Sequence, residues 1–216
     1  MVQVLLALTF VTGIVDAVSV LGFGRVFTAN MTGNVVFLAF AVAGEPGFSM
    51  TRSLTALVAF LAGAVVGGRI GAQLGGTARR FWIRTTLTCE AALLIAAALA
   101  SIGFEVGSGI PVGRLYLIIA LTAVAMGLRN AIVRRLAVPD LTTTVLTLTL
   151  TGMAADSTLA GGKNPRVGLR AASLGMMFAG AAIGALSLHL RPALPLFLSA
   201  ALVLATTVVL SKGEQR

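Results

Sequence analysis

Cysteine, histidine, tyrosine and tryptophan each occur once in this chain of 216 residues. With Cys89 alone, no intramolecular disulfide and no cysteine-based metal cluster is open to it, and chemistry built on thiolates or metals is not expected. Charge is scarce as well: Asp, Glu, Lys and Arg make up 11% of the chain, seven acids against sixteen bases. A soluble domain of this length needs more polar surface than that. What is present instead is apolar: 57% of the residues are hydrophobic and the mean hydropathy is +1.00. Stretches of spanning length recur from end to end, so the expected class is an all-α membrane protein with one polytopic domain over 1–216. Loops are short and "SKGEQR" leaves 212–216 as a tail. The opening "MVQVLLALTF" lacks a basic n-region and a small-x-small cleavage site follows nowhere near, so it reads as a retained membrane helix.

A net charge of +9 would suggest nucleic acid in a soluble protein. Here the basic residues flank apolar segments, as the positive-inside rule places them, so the expected partner is the lipid bilayer and no nucleic acid. Eight apolar segments follow one another: 2–22, 28–44, 54–76, 83–103, 113–131, 140–155, 167–190 and 193–211. Six have the length to cross a hydrocarbon core of ~30 Å at ~1.5 Å per residue. The second and sixth are short and open on polar runs, "TANMTGN" and "DLTTTVLTLTLTG".

Sliding the chain by 114 residues pairs Gly13 with Gly127, Asp16 with Asn130, Ala17 with Ala131 and Thr28 with Thr142. A shift of 117 pairs "AGAVVG" (62–67) with "AGAAIG" (179–184). The order long, short-polar, long, long also recurs. An internal duplication is therefore expected, repeat one over 1–104 and repeat two over 112–211.

Charge then selects the topology. If all eight segments cross, the loop with Arg79, Arg80 and Arg84 and the linker with Lys163, Arg166 and Arg170 fall on opposite sides, against the positive-inside rule. If the second and sixth dip in and return, those residues gather on one side with Arg134, Arg135, Lys212 and Arg216. The other side keeps Arg25, Arg52, Arg114 and Arg191. Each repeat then crosses three times, so the second copy is inverted. The expected fold is six spanning helices plus two short broken or re-entrant helices in two inverted repeats, with both termini cytoplasmic. The two interrupted segments are expected to meet near mid-membrane.

Irregular backbone in hydrocarbon survives only when buried in protein or lining a wet cavity. Thr28, Asn30, Thr32 and Asn34, with Gly33 for a bend, form the first candidate binding cluster; Thr142, Thr143 and Thr144 form the second. Each is either a solute site or glue between helices, worth about 1 kcal/mol or less per residue. Asp16, mid-span, is a functional candidate or a structural partner of Arg69 or Arg129, with Thr12 and Ser19 one turn away as its hydrogen-bond partners. Arg129 and Asn130 match Val15 and Asp16 in the other copy; an arginine facing an aspartate across the repeat axis would neutralise both, and a solute could release either. Glu90 is a further intramembrane acid, Asp140 after Pro139 reads as a helix cap, and Asp156 faces the aqueous linker. Gly63, Gly67, Gly71 and Gly75 make a stripe that serves either a contact within the chain or a homo-oligomer seam. Trp82 reads as an interfacial anchor, and His189 as a loop-end residue.

The stretch "TGIVDAVSVLGFGRVFTANMTGNVVFLA" resembles the opening of the YoaK family of bacterial membrane proteins, through "GIVDA" (13–17) and "FTANMTGN" (27–34). "VPDLTTTVLTLTLTG" (138–152) and "AADS" (154–157) extend the likeness across the chain. The resemblance implies a bacterial inner membrane and a permease-like role, and supplies no catalytic residues. Together these readings give two expectations: a small transporter or channel for a polar or anionic solute, with its site between the broken helices, or a non-transporting scaffold or sensor. Neither is an enzyme, and neither needs a cofactor.

Overall fold

The computed structural model describes residues 1–74, 79–104, 111–138, 141, 143, 144 and 146–212. Among these, the regular elements are helices: α1 (Val2–Gly22), α2 (Met31–Val42), α3 (Met50–Leu74), α4 (Arg79–Ala100), α5 (Val112–Leu136), α6 (Thr147–Ala155), α7 (Val167–Leu190) and α8 (Leu194–Lys212), with a 3-10 turn at Thr158–Ala160. A helix satisfies its backbone within the segment, which is what long apolar sequence in lipid requires. Breaks fall where the sequence supplies them. Gly24 and Arg25 turn left-handed after α1, Gly103 after α4 and Ala137 after α5, and Pro192 follows the end of α7.

Among the described residues, five helices are long and apolar enough to cross a membrane: Val2–Gly22, Met50–Gln73, Arg80–Ala100, Val112–Leu136 and Val167–Leu190. The expectation of six meets a shorter α8, apolar over Leu194–Leu210. The second and sixth segments fold as the 12-residue α2 and the 9-residue α6. At ~1.5 Å per residue neither is much more than half of a ~30 Å core.

The helices pack in matched pairs. The α3–α5 and α1–α7 contacts are the most extensive; α4–α5 is matched by α1–α8, α2–α3 by α6–α7, and α3–α4 by α7–α8, while α4–α8 and α1–α5 map onto themselves. Exchanging α1–α4 for α5–α8 leaves this set of pairings unchanged.

Small residues make the two closest seams. Between α3 and α5, a Cβ on Gly63 would collide with the Val124 carbonyl, one on Gly67 would lie 2.9 Å from the Ala131 Cβ, and one on Gly127 would strike the Phe60 carbonyl. Between α1 and α7, Gly13 faces the Met177 carbonyl, Gly180 faces the Phe10 carbonyl, and a Cβ on Gly184 would sit 2.8 Å from the Ile14 carbonyl oxygen. These are the glycines that the 114- and 117-residue shifts align. Lipid gives no hydrophobic drive to helix association, so backbone-to-backbone approach supplies the attraction. Gly63 and Gly67 of the stripe are thus taken up within the chain; Gly71 makes room for the Trp82 indole, and Gly75 lies outside the described residues. Trp82 is consequently buried in the core at 3% exposure rather than anchored at an interface, while Phe81 points outward.

The same contacts fix helix directions. Phe10 meets Gly180, Ile14 meets Gly184 and Gly22 meets Leu188, so α1 and α7 run the same way. Gly63 meets Val124, Gly67 meets Leu128 and Gly71 meets Arg135, so α3 and α5 do too. At the end of α1, the Gly24 carbonyl accepts a hydrogen bond from Arg52 Nη1 of α3 at 3.4 Å, and the Arg25 guanidinium lies against Gly47. The chain between α1 and α3 therefore leaves and returns at one end of the bundle. Since α3 opposes α1, α5 opposes α7, and the chain between those two leaves and returns at the other end. There Arg170 Nη1 of α7 donates to Asp156 Oδ2 at 2.8 Å, tying the end of α6 to the helix that follows.

Candidate functional site

Three polar nodes interrupt the apolar interior. The first explains the "FTANMTGN" run. Asp16, buried on α1, accepts the Ala29 N–H on Oδ1 at 3.0 Å, and the Thr28 and Asn30 N–H groups also address its carboxylate. These donors lie just ahead of Met31, where a helix start leaves N–H groups without partners inside the helix and favours negative charge. Asn34 clamps the same stretch from inside α2. Its Oδ1 accepts the Phe27 N–H at 2.8 Å and its Nδ2 donates to the Phe27 carbonyl. The Phe27 ring then stacks on Phe37, centroids 5.4 Å apart. Thr28 is fully buried, and its hydroxyl has no partner among the described residues. Asn30 is half-buried, and Thr32 sits exposed on the outer side of α2, away from the node.

The second node is Arg129 of α5. Its Nη1 donates to the Leu8 carbonyl at 2.8 Å and to Thr12 Oγ1 at 2.9 Å, and its Nη2 pairs with Glu90 Oε1 of α4. Both charged side chains are wholly buried, with Arg129 Nε and Glu90 Oε2 left without partners among the described residues. Three helices meet here. An Arg129–Asp16 pair is not made, because Asp16 is occupied by backbone N–H groups while Glu90 reaches Arg129 from α4. Thr12 serves Arg129 rather than Asp16, and Ser19 donates to the Asp16 backbone carbonyl, not to its carboxylate. Arg69 lies exposed on α3.

The third node repeats the first in its own half. Asn130 Oδ1 accepts from Thr144 Oγ1 at 2.9 Å, while its Nδ2 donates to the Met126 carbonyl. The 114-residue shift sets Asn130 on Asp16 and Thr144 on Asn30. In each half, the stretch before the short helix is pinned to a polar side chain at the same place on the helix before it. Thr143 is buried with φ +61°, and its hydroxyl is unpartnered among the described residues. Thr142 and Asp140 lie outside the described residues.

Asn130 and Thr144 also line a cavity of about 800 Å³ between α3 and α5, with Phe60, Arg134 and Arg135 in its wall. A second cavity, about 920 Å³, lies where α4 and α7 end and includes His189 and Arg191. The helices α2 and α6 do not pack on each other; each lies against the long helix after it. The candidate residues thus form two separate clusters, with the Arg129 node joined to both: Thr12 is one turn from Asp16, and Arg129 adjoins Asn130. Among the described residues, no three His, Cys, Asp or Glu gather to hold a metal. Sequence reasoning did not assign Glu90 to Arg129, although an arginine in mid-span demands an acid. Arg134 and Arg135, which line the cavity, look in the sequence like ordinary end-of-helix charges.

Long apolar helices packed around buried polar nodes define a multi-pass α-helical membrane protein. The chain belongs to the family described as "Protein of unknown function (DUF1275)", whose sequence pattern matches residues 4–209. It is similar to the UPF0700 transmembrane protein YoaK of Bacillus subtilis (strain 168), with 33% identity over 152 residues, covering 70% of this chain and 64% of that protein's length. The resemblance drawn from "GIVDA" and "FTANMTGN" is thus a true family relation. No solved structure matches the chain.

Proposed function

We propose that the protein is a small bacterial inner-membrane transporter or channel for a polar or anionic solute. In this reading α1, α3, α4, α5, α7 and α8 cross the bilayer as two inverted repeats. The chain from α1 to α3 and the chain from α5 to α7 are re-entrant hairpins from opposite faces. The face that collects Arg80, Arg84, Arg134, Arg135, Lys163 and Arg166 is cytoplasmic by the positive-inside rule, and both termini lie there. The observation that supports the proposal is that two short helices, α2 and α6, each follow a stretch bonded to a polar side chain of the helix before it, Asp16 or Asn130. Inverted repeats with interrupted helices are a transporter architecture whose site lies at the repeat interface. The solute route follows the polar row Thr28, Asp16, Thr12, Arg129, Asn130 and Thr144. Arg129, paired with Glu90 and with its Nε unpartnered among the described residues, lies at the centre of that row.

The alternative, a scaffold or sensor without transport, draws on the saturation of Asp16 and Asn34 by backbone bonds, which is what glue looks like. Flux separates the two. Proteoliposomes should take up at least one member of a panel of small carboxylates, phosphate and neutral polar solutes. Asn130→Ala should reduce that uptake at least several-fold in protein that still unfolds cooperatively. A panel with no uptake above empty liposomes would favour the scaffold.

A further inference from the structure

The cavity between α3 and α5 differs in character from the buried row it touches. Its wall is largely apolar, through Phe60, Ala64, Val133 and Leu141, and Asn130 and Thr144 supply hydrogen-bonding groups on one side. Arg134 and Arg135, both exposed, also line it, and no acid does so among the described lining residues. Neither arginine forms an ion pair among the described residues; Arg135 instead lies over the Trp82 ring, 5.8 Å from its centroid. Gly68 borders the cavity, and a Cβ there would meet nothing within 4 Å, so the wall is open at that point of α3. A greasy groove with unpaired guanidinium groups matches one ligand chemistry: an acidic head on an apolar body.

We infer that this groove binds an anionic amphiphile, with its acidic group at Arg134 and Arg135 and its apolar part beside the α3–α5 seam, against Phe60, Val138 and Leu141 and alongside Gly68. Basic pockets between membrane helices on the cytoplasmic side are suited to acidic lipid heads. A soluble aliphatic carboxylate carries the same chemistry. The groove's placement on the cytoplasmic side rests on the proposed topology; the binding itself does not.

The test is thermal unfolding of the full chain in a neutral detergent. It is titrated separately with decanoate, with short-chain phosphatidylglycerol, and with decanol and short-chain phosphatidylcholine as uncharged counterparts. A saturable rise in melting temperature with an anionic probe, absent with its counterpart, is expected. Response to decanoate assigns a soluble carboxylate, and response to phosphatidylglycerol alone assigns a lipid head. At about 1 kcal/mol per basic residue near the surface, Arg134→Gln should weaken the apparent affinity about fivefold and the double change with Arg135→Gln about thirtyfold. Gly68→Leu branches from a position where a Cβ meets nothing within 4 Å, so it should leave the unliganded melting temperature near wild type and abolish the response. Equal response to charged and uncharged probes, or to inorganic phosphate alone, overturns the inference, as does an unaltered response in the double variant. Amphiphile binding without flux of any solute would leave this inference standing and remove the transport reading; flux without binding would do the reverse.

Discussion

Arg129 and Glu90 show what a buried charge does in this interior. Removing one partner of a wholly buried ion pair leaves the other uncompensated, at a cost of about 3–5 kcal/mol. Glu90→Ala should therefore lower the unfolding midpoint sharply, whereas Glu90→Leu combined with Arg129→Met should recover most of the loss; a double-mutant cycle of denaturation measurements reads both. Asp16 and Asn34 act on backbone instead. Asn34→Leu strips the Phe27 N–H and carbonyl of their partners, a loss of about 1–3 kcal/mol for each group left unsatisfied in the interior. Faster hydrogen exchange at 27–30 would report it, and exchange unchanged from wild type would deny the clamp. For Asp16, replacement by Asn keeps an acceptor and should be milder than replacement by Leu. One fact about these residues was legible in the sequence: acids and amides in apolar surroundings need partners, which left "FTANMTGN" open as a solute site or as support for irregular backbone and helix packing. Their pairing was not. Arg129 had more than one acid available to it, and the choice of Glu90 depends on how α4 packs against α5.

The long helices were readable because apolar length is a one-dimensional property, and the two short ones because polar runs cut that length. The glycine pairs Gly13 with Gly127 and "AGAVVG" with "AGAAIG" pointed at corresponding positions, and the coordinates place them in corresponding seams, α1–α7 and α3–α5. The sequence left open whether Gly63 and Gly67 served the chain itself or a second copy. That turned on which helix came to lie against them. It follows that Gly63→Leu and Gly180→Leu, one in each seam, should both destabilise, since each side chain would meet a carbonyl of the facing helix and not a flexible group. Overpacking of this kind costs about 1–3 kcal/mol, occasionally more. Gly44→Ala, where a Cβ meets nothing within 4 Å but φ is +82°, should cost less, and only through backbone strain. Thermal midpoints of the three variants, measured side by side, check the order. Trp82 fell the other way from its expected interface because Gly71 on the neighbouring helix lacks the Cβ that would have kept the indole out.

The transport reading depends on the two halves lying oppositely oriented in the membrane. The turn between α2 and α3, around Glu45, and the turn between α6 and α7, around Lys163, lie at opposite ends of the bundle. With Cys89 replaced by Ser, single cysteines at Glu45 and at Lys163 can be labelled in intact cells by a membrane-impermeant maleimide. The account predicts that Glu45→Cys is labelled from outside and Lys163→Cys only after the membrane is opened. Labelling of both from the same side would contradict it.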